Sequence, residues 1–203
     1  MKIFAYTITA LIIIISVWQI YASNSNKNFD IMDNLKLSTI DDIEFRVYAQ
    51  YSTISVPLNK KEISSADGKF SVLANYIFGG NKESQKIAMT SPVIYEMEES
   101  SYFSFLVPES LSGTKLPTPN DPSIEFHNVY NQHVAVITFG GFSNEKTVKK
   151  HHDKLKKKLI ELGFSIGDNY IVAVYQPPYQ MLNRKNEIWI EINKEEYKNI
   201  IKK

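Results

Sequence analysis

The chain has 203 residues, 43% hydrophobic and 22% charged, the proportions of an ordinary globular domain and not of a disordered, collagen-like or polytopic membrane chain. Lysine and arginine total 23 against 22 acidic residues, a formal net charge of +1, so the basic excess of a dedicated nucleic-acid binder is missing. There is no cysteine, which excludes disulfide scaffolds, thiolate metal sites and thiol nucleophiles.

From Ile3 to Ala22 (IFAYTITALIIIISVWQIYA) no residue is charged, and Lys2 and Lys27 bracket the run. Two readings compete. A signal peptide would start at Lys2 and use Ala22 as the small residue before the cut. A retained anchor would use the same run as one spanning helix, since about 20 apolar residues cross the hydrocarbon core. Either reading places the remainder outside the cytoplasm, membrane-anchored or, after cleavage, periplasmic or secreted. Residues 1–22 are therefore expected to be a signal or anchor, 23–42 a linker and lead-in beginning with the polar SNSNKN, 43–193 the functional domain, and 194–203 a charged tail.

Ile43, Phe45, Val47 and Ala49 alternate with Glu44, Arg46, Tyr48 and Gln50, the period-two mark of a half-buried strand, which continues to Val56 before Pro57. Over about 61–78 the period changes: Phe70, Leu73, Ala74 and Ile77 fall at i, i+3, i+4, i+7, a helical stripe. Gly79-Gly80 stops it. Strands are expected at Pro92–Met97 and Tyr102–Val107. A loop with Pro108, Pro117, Pro119 and Pro122 separates the halves. The second half repeats the scheme: strands at Ile124–Tyr130 and His133–Gly141, a helix over Asn144–Leu162 capped by Ser143 and Gly163, then strands at Tyr170–Gln176 and Glu187–Ile192. Strand, helix, strand, strand written twice predicts an α+β fold, with a curved antiparallel sheet carrying two helices and a ligand cleft between helix and strands.

No Walker loop, GxGxxG or GxSxG is present. His151 and His152 are adjacent on the second helix and point about 100° apart, so they do not share a mononuclear metal face. His152 falls on the line of Val148, Leu155 and Leu159, more as a core histidine than a ligand, and it stays the one weak metal candidate. His127 and His133 flank an expected turn and are read as exposed. The lysines at 146, 149, 150, 154, 156, 157 and 158 read as a solvated helix face before they read as a phosphate or lipid patch. Met89 and Met181 precede turns and read first as gap-filling core, second as ligand contacts. Glu187 and Glu191 share one face of the final strand with Trp189 between them. The alternation turns Ile188, Ile190 and Ile192 inward and the glutamates to water; if buried instead, Glu187 could recognise cations or act as a base.

Three stretches stand out together: YIFGGNKESQKIAMTSPV (76–93), TFGGFS (138–143) and YQPPYQMLNRKNEIWI (175–190), with IEFRVY (43–48) ahead of them. They resemble the signatures of the SOUL haem-binding protein family over roughly 43–193. The resemblance implies a duplicated β-α-β-β fold closing into a distorted antiparallel barrel, like that of bacterial effector-binding domains, and a non-catalytic monomer that binds haem or another tetrapyrrole. In one branch a histidine of the opening strand is the axial ligand, and Val47 stands there in this chain. The family's apolar bed maps onto Phe70, Leu73, Ile77 and Met89, with Lys69 placed to pair a propionate. The rival expectations are a binder of other amphipathic small molecules centred on Glu187, and a hydrolase on the same fold.

Overall fold

A computed structural model describes residues 2–25, 30–61, 63–66 and 68–201. Residues 26–29 of the expected linker and the last two of the tail lie outside the described residues. In chain order the elements are α1 (Lys2–Ser25), β1 (Asp30–Ile31), β2 (Leu35–Ile40), β3 (Ile43–Pro57), α2 (Lys69–Ile77), β4 (Thr90–Ser91), β5 (Val93–Met97), β6 (Tyr102–Leu106), β7 (Glu125–Phe139), α3 (Glu145–Leu162), β8 (Tyr170–Val174), β9 (Asn186–Glu191) and α4 (Lys194–Ile201).

Strands β3, β6, β5, β8, β9 and β7 are hydrogen-bonded in that order, and β7 returns to β3. Every one of these pairings is antiparallel, so six strands close a barrel with no free edge. The expected duplication is present as β3-α2-β5-β6 and β7-α3-β8-β9. Of the four helices, α4 alone is an addition, formed where a charged tail was expected. β2 pairs with β3 outside the closed ring, and β1 pairs in parallel with β4, so strands occupy part of residues 30–40.

The two 15-residue strands β3 and β7 dominate the barrel. The strands expected at Ile124–Tyr130 and His133–Gly141 are one element, because Asn131 takes a positive φ of 49° without ending the pairing to β3. His127 and His133 therefore flank no turn. His133 is buried, with Nδ1 3.0 Å from the Asn131 carbonyl. The expected helix over 61–78 is also divided: residues 63–66 form a 3-10 turn, and α2 starts only after Gly68, whose φ is 79°. After α2, the Gly80 N–H donates to Asn75 O at 2.8 Å, and a Cβ on Gly80 would sit 2.6 Å from that oxygen. Only glycine fits there. Asn144, not Ser143, caps α3, its side chain accepting the Thr147 N–H.

Three apolar clusters follow from the closure. Leu73, Tyr76 and Ile77 of α2 cover the outer face of β3 and β6 with Ile54, Val56, Phe103 and Phe105. Val148, Leu155 and Leu159 of α3 and Tyr197 of α4 cover the outer face of β3, β7, β8 and β9. A third cluster draws on no helix: Tyr48, Tyr51, Ile94, Leu106, Val134, Val136, Ile171, Ala173 and Trp189 fill the barrel interior. Strands buried on both faces show no clean alternation.

The expected localisation, membrane-anchored or exported, is corrected. Among the described residues no helix is long and apolar enough to cross a membrane. α1 carries Thr7, Thr9, Ser16 and Gln19 within its apolar run, and Gln19 turns toward the protein, being only 6% exposed. Its amide donates to Tyr179 O at 3.3 Å and accepts the Met181 N–H at 2.9 Å.

Candidate functional site

The five residues expected to form a ligand bed divide into two groups. Leu73 and Ile77 are 0% and 1% exposed, sealed beneath α2 in the packed core. Phe70, one turn earlier, is 49% exposed and rests edge-on against Phe105 with ring centroids 5.3 Å apart, and tilted to Phe103 at 6.5 Å. Lys69 is partly buried beside it, and Met89 is partly buried at the margin of the same cluster. Tyr95 continues the aromatic run, 4.9 Å from Phe103. The outcome is an aromatic shelf at the start of α2, not a deep cleft. Leu73 and Ile77 are its foundation and Phe70 its surface.

Glu187 is where the sequence reading fails most clearly. The alternation turned it to water, yet it is 0% exposed inside the barrel. Each carboxylate oxygen meets three donors. Oε1 receives Arg46 Nη2 at 3.1 Å, Lys185 Nζ at 2.9 Å and Thr138 Oγ1 at 3.5 Å. Oε2 receives Arg46 Nη1 at 3.1 Å, Tyr175 OH at 2.8 Å and Trp189 Nε1 at 2.8 Å. Burial alone pushes this carboxyl up, but the Arg46 guanidinium and Lys185 outweigh it and hold it below the usual glutamate range. Arg46 reaches Glu44 as well, at 2.6 Å, and Trp189 stacks on Tyr48 at 4.9 Å. A carboxylate already neutralised by two cations is not free to receive a cationic ligand or to take a proton from a substrate. Glu191, as expected, stays exposed, where it accepts from Gln132 at 3.3 Å.

A second polar group lines the barrel interior. Ser104 Oγ lies 3.0 Å from Glu96 Oε1 and 2.8 Å from Ser55 Oγ, which in turn lies 2.9 Å from Thr53 Oγ1. Among the described residues no lysine or arginine pairs with Glu96, and burial raises its carboxyl above the ordinary value against the Ser104 hydrogen bond and the nearby His127.

The motif residues explain themselves as ties. Arg184 donates to Gly141 O, Pro177 O, Gln180 O and Gln176 O, and its guanidinium lies 4.5 Å from the Phe142 ring, closing the 176–183 loop on itself. Asn186 donates to Gly141 O at 2.8 Å. Thr90 donates to Leu106 O at 2.7 Å and Ser91 to Tyr175 O at 3.0 Å. Met181, read first as core, is 60% exposed at the tip of that loop.

His152 stacks on Tyr170 with ring centroids 4.1 Å apart, its side chain 13% exposed. Nδ1 faces Asp153 at 3.6 Å, and the buried Nε2 has no hydrogen-bond partner. A nitrogen left so costs about 1–3 kcal/mol. Burial lowers the imidazole's pKa despite Asp153, favouring the neutral ring. That nitrogen is closed to a flat macrocycle, so His152 is not poised to meet a haem iron. Among the described residues no three His, Cys, Asp or Glu side chains converge on a metal position. The α3 lysines are not a bare patch either. Lys154 and Lys158 pair with Asp42 and Asp41 of the β2–β3 turn, Lys156 with Asp168, Lys149 with Asp153 and Lys157 with Glu161.

Comparison with known proteins accords with the architecture. A family model described as SOUL heme-binding protein matches residues 26–191. Heme-binding protein 2 of Homo sapiens is 30% identical over 156 residues, covering 72% of this chain and 76% of that protein. Heme-binding protein 1 of Xenopus laevis is 27% identical over 155 residues, covering 72% and 81%. Among solved structures, the crystal structure of the EcmrR C-terminal domain superposes with a TM-score of 0.58 at 9% identity, covering 77% of this chain and 99% of that one. At that identity the likeness is one of fold alone.

Proposed function

The chain belongs to the SOUL heme-binding protein family, and from that premise we propose that it binds haem or a related tetrapyrrole on the shelf at the start of α2, by binding and not by catalysis. The observation that carries the reading is Phe70, a large aromatic side chain held half out of the core on two further aromatic rings. A flat apolar ring laid there covers surface that water otherwise meets. Met89 flanks the shelf, and Lys69 supplies the cation a propionate needs, a charge-assisted contact worth about 1.5–3 kcal/mol when partly buried. Leu73 and Ile77 act beneath, fixing the pitch of α2 and so the position of Phe70.

The donor set fits a ring held by apolar contact. Of the residue types that ligate haem iron, the α2 cluster contains Met89, Tyr76 and Tyr95, and the Tyr76 hydroxyl already donates to Pro117 O at 2.8 Å. Bound haem supplies iron and its redox chemistry; the chain's part is to hold the macrocycle and shield one face. An open shelf without a dedicated ligand predicts affinity in the micromolar range, about −8 kcal/mol. Titrating the full chain with haem tests this through the Soret band and tryptophan quenching. A saturable one-to-one change is the expected result, and a linear, unsaturable one overturns the reading.

A further inference from the structure

We propose that Glu96 is a positioning residue for the α2 shelf: from inside the barrel its charge state sets how β5 and β6 seat the shelf's aromatic rings, so that the shelf holds its ligand less well as pH rises. This regulation acts on the haem site proposed above and rests on that reading.

Strands β5 and β6 carry the shelf on one face and a polar chain on the other. Outside, Phe70 rests on Phe105 and Phe103, with ring centroids 5.3 and 6.5 Å apart, and Tyr95 lies 4.9 Å from Phe103. Inside, Ser104, which separates Phe103 from Phe105, places its Oγ 3.0 Å from Glu96 Oε1 and 2.8 Å from Ser55 Oγ. Tyr95 is registered opposite Phe103, and Glu96, the next residue, opposite Tyr102. The wall is one strand thick, so a displacement of Glu96 or Ser104 moves the peptides that carry Tyr95, Phe103 and Phe105.

The surroundings of Glu96 fix the direction of the effect. Tyr51, Thr53 and Ser55 approach this end of the barrel from β3, Tyr102 and Ser104 from β6, Glu125 and His127 from β7, Glu191 from β9, and Glu98 follows on its own chain. From β8 the partner of Glu96 is Ile171, which is uncharged. Among these groups only His127 can carry a positive charge, and its Nε2 is 3.2 Å from Glu125 Oε2. Protonated, Glu96 is a neutral member of a hydroxyl chain that runs through Ser104 and Ser55 to Thr53. Ionised, it adds a partly buried negative charge to those of Glu98, Glu125 and Glu191, which burial and like charge both oppose. Relief comes from water entering or from the carboxylate swinging away from Ser104, and either shifts the β5–β6 pair under the shelf. The added charge also repels a propionate across the wall, with the same sign. A ligand that needs the rings seated therefore binds the protonated form better, and by reciprocity holds the proton on Glu96.

Haem titrations of the full chain at about pH 5, 6, 7 and 8 test this in wild type, Glu96→Gln and Glu98→Gln. Propionate and histidine titrations are common to all three proteins and cancel in the comparison. Wild type should lose about five-fold or more in affinity relative to Glu96→Gln as pH rises. Glu98→Gln removes a charge that raises the Glu96 carboxyl, so the fall should come at lower pH. Without haem, amide exchange along β5 and β6, corrected for its intrinsic pH dependence, should lose protection with pH in wild type but not in Glu96→Gln. Saturable haem binding with one pH profile for wild type and Glu96→Gln, or equal amide protection in the two, overturns the coupling and leaves the shelf standing. Haem that fails to saturate at every pH overturns the shelf, and its regulation with it.

Discussion

Replacing Glu187 by Gln keeps the shape of the side chain and removes its charge from the barrel interior. Arg46 then loses its bidentate partner at 3.1 Å on both nitrogens but keeps Glu44 at 2.6 Å, so its charge is not left wholly alone. Breaking a buried pair costs about 3–5 kcal/mol, and the surviving Glu44 contact places this case near 3 kcal/mol. Set against a total stability of about 5–15 kcal/mol, that is a large loss. Urea unfolding followed by tryptophan fluorescence measures it, with Trp189 a reporter in direct contact with the altered group. The slope should stay constant while the midpoint falls by about 1–1.5 M, taking a slope of about 2–3 kcal/mol/M. The pH dependence has a definite sign. Because the folded state holds Glu187 below its ordinary range, its contribution is complete above the unfolded glutamate value and is lost as pH falls through the lower folded one. Wild type should weaken on acidification more steeply than the glutamine variant. A loss under about 1 kcal/mol at neutral pH, or identical acid slopes, refutes the claim that this ion pair organises the barrel.

The other expectations concern single side chains. Leu73→Ala should cost about 2–5 kcal/mol in urea unfolding, as a fully buried leucine does, and Phe70→Ala less than half of that, because half its ring is already in water. Asn81→Ala should cost about 1–3 kcal/mol in the same assay, since the 3%-exposed amide donates to Tyr76 O and Gln85 O and accepts the Gln85 N–H. Glu96→Gln should stabilise the protein at neutral pH and leave it unchanged in acid: a carboxyl raised by burial favours folding only while protonated, so the gain appears as pH rises above the ordinary glutamate range. Equal effects at both pH values would show that Glu96 does not titrate as placed.

The duplicated order of elements was legible because periodicity changes between two and 3.6 at the Pro and Gly boundaries, and β6 and the end of α2 sit almost where those changes fall. Closure of the barrel was legible only by resemblance, since no local pattern in β3 or β7 announces that they pair with each other. Closure also explains the failures. It buries both faces of β9, so the alternation that turned Glu187 to solvent had no solvent to point to. Arg184, Asn186, Glu187, Thr90 and Ser91 carry the resemblance because they tie loops and strands together, and such residues identify a fold more readily than a ligand. Phe70 was legible as part of a helical stripe, but periodicity could not tell the exposed member from Leu73 and Ile77 beneath it. The pairing of Lys154 and Lys158 with the β2–β3 turn joins positions more than 110 residues apart, beyond the reach of any local pattern.

The most direct test of the account is the dissociation constant of haem for wild type beside Phe70→Ala. A phenylalanine offers about 150–250 Å², and a ring covering its exposed half gains roughly 2 kcal/mol at about 25 cal/mol per Å². The account predicts that Phe70→Ala loosens haem about thirty-fold while the protein stays folded. Equal affinity in the two proteins would contradict it and remove the ligand from α2.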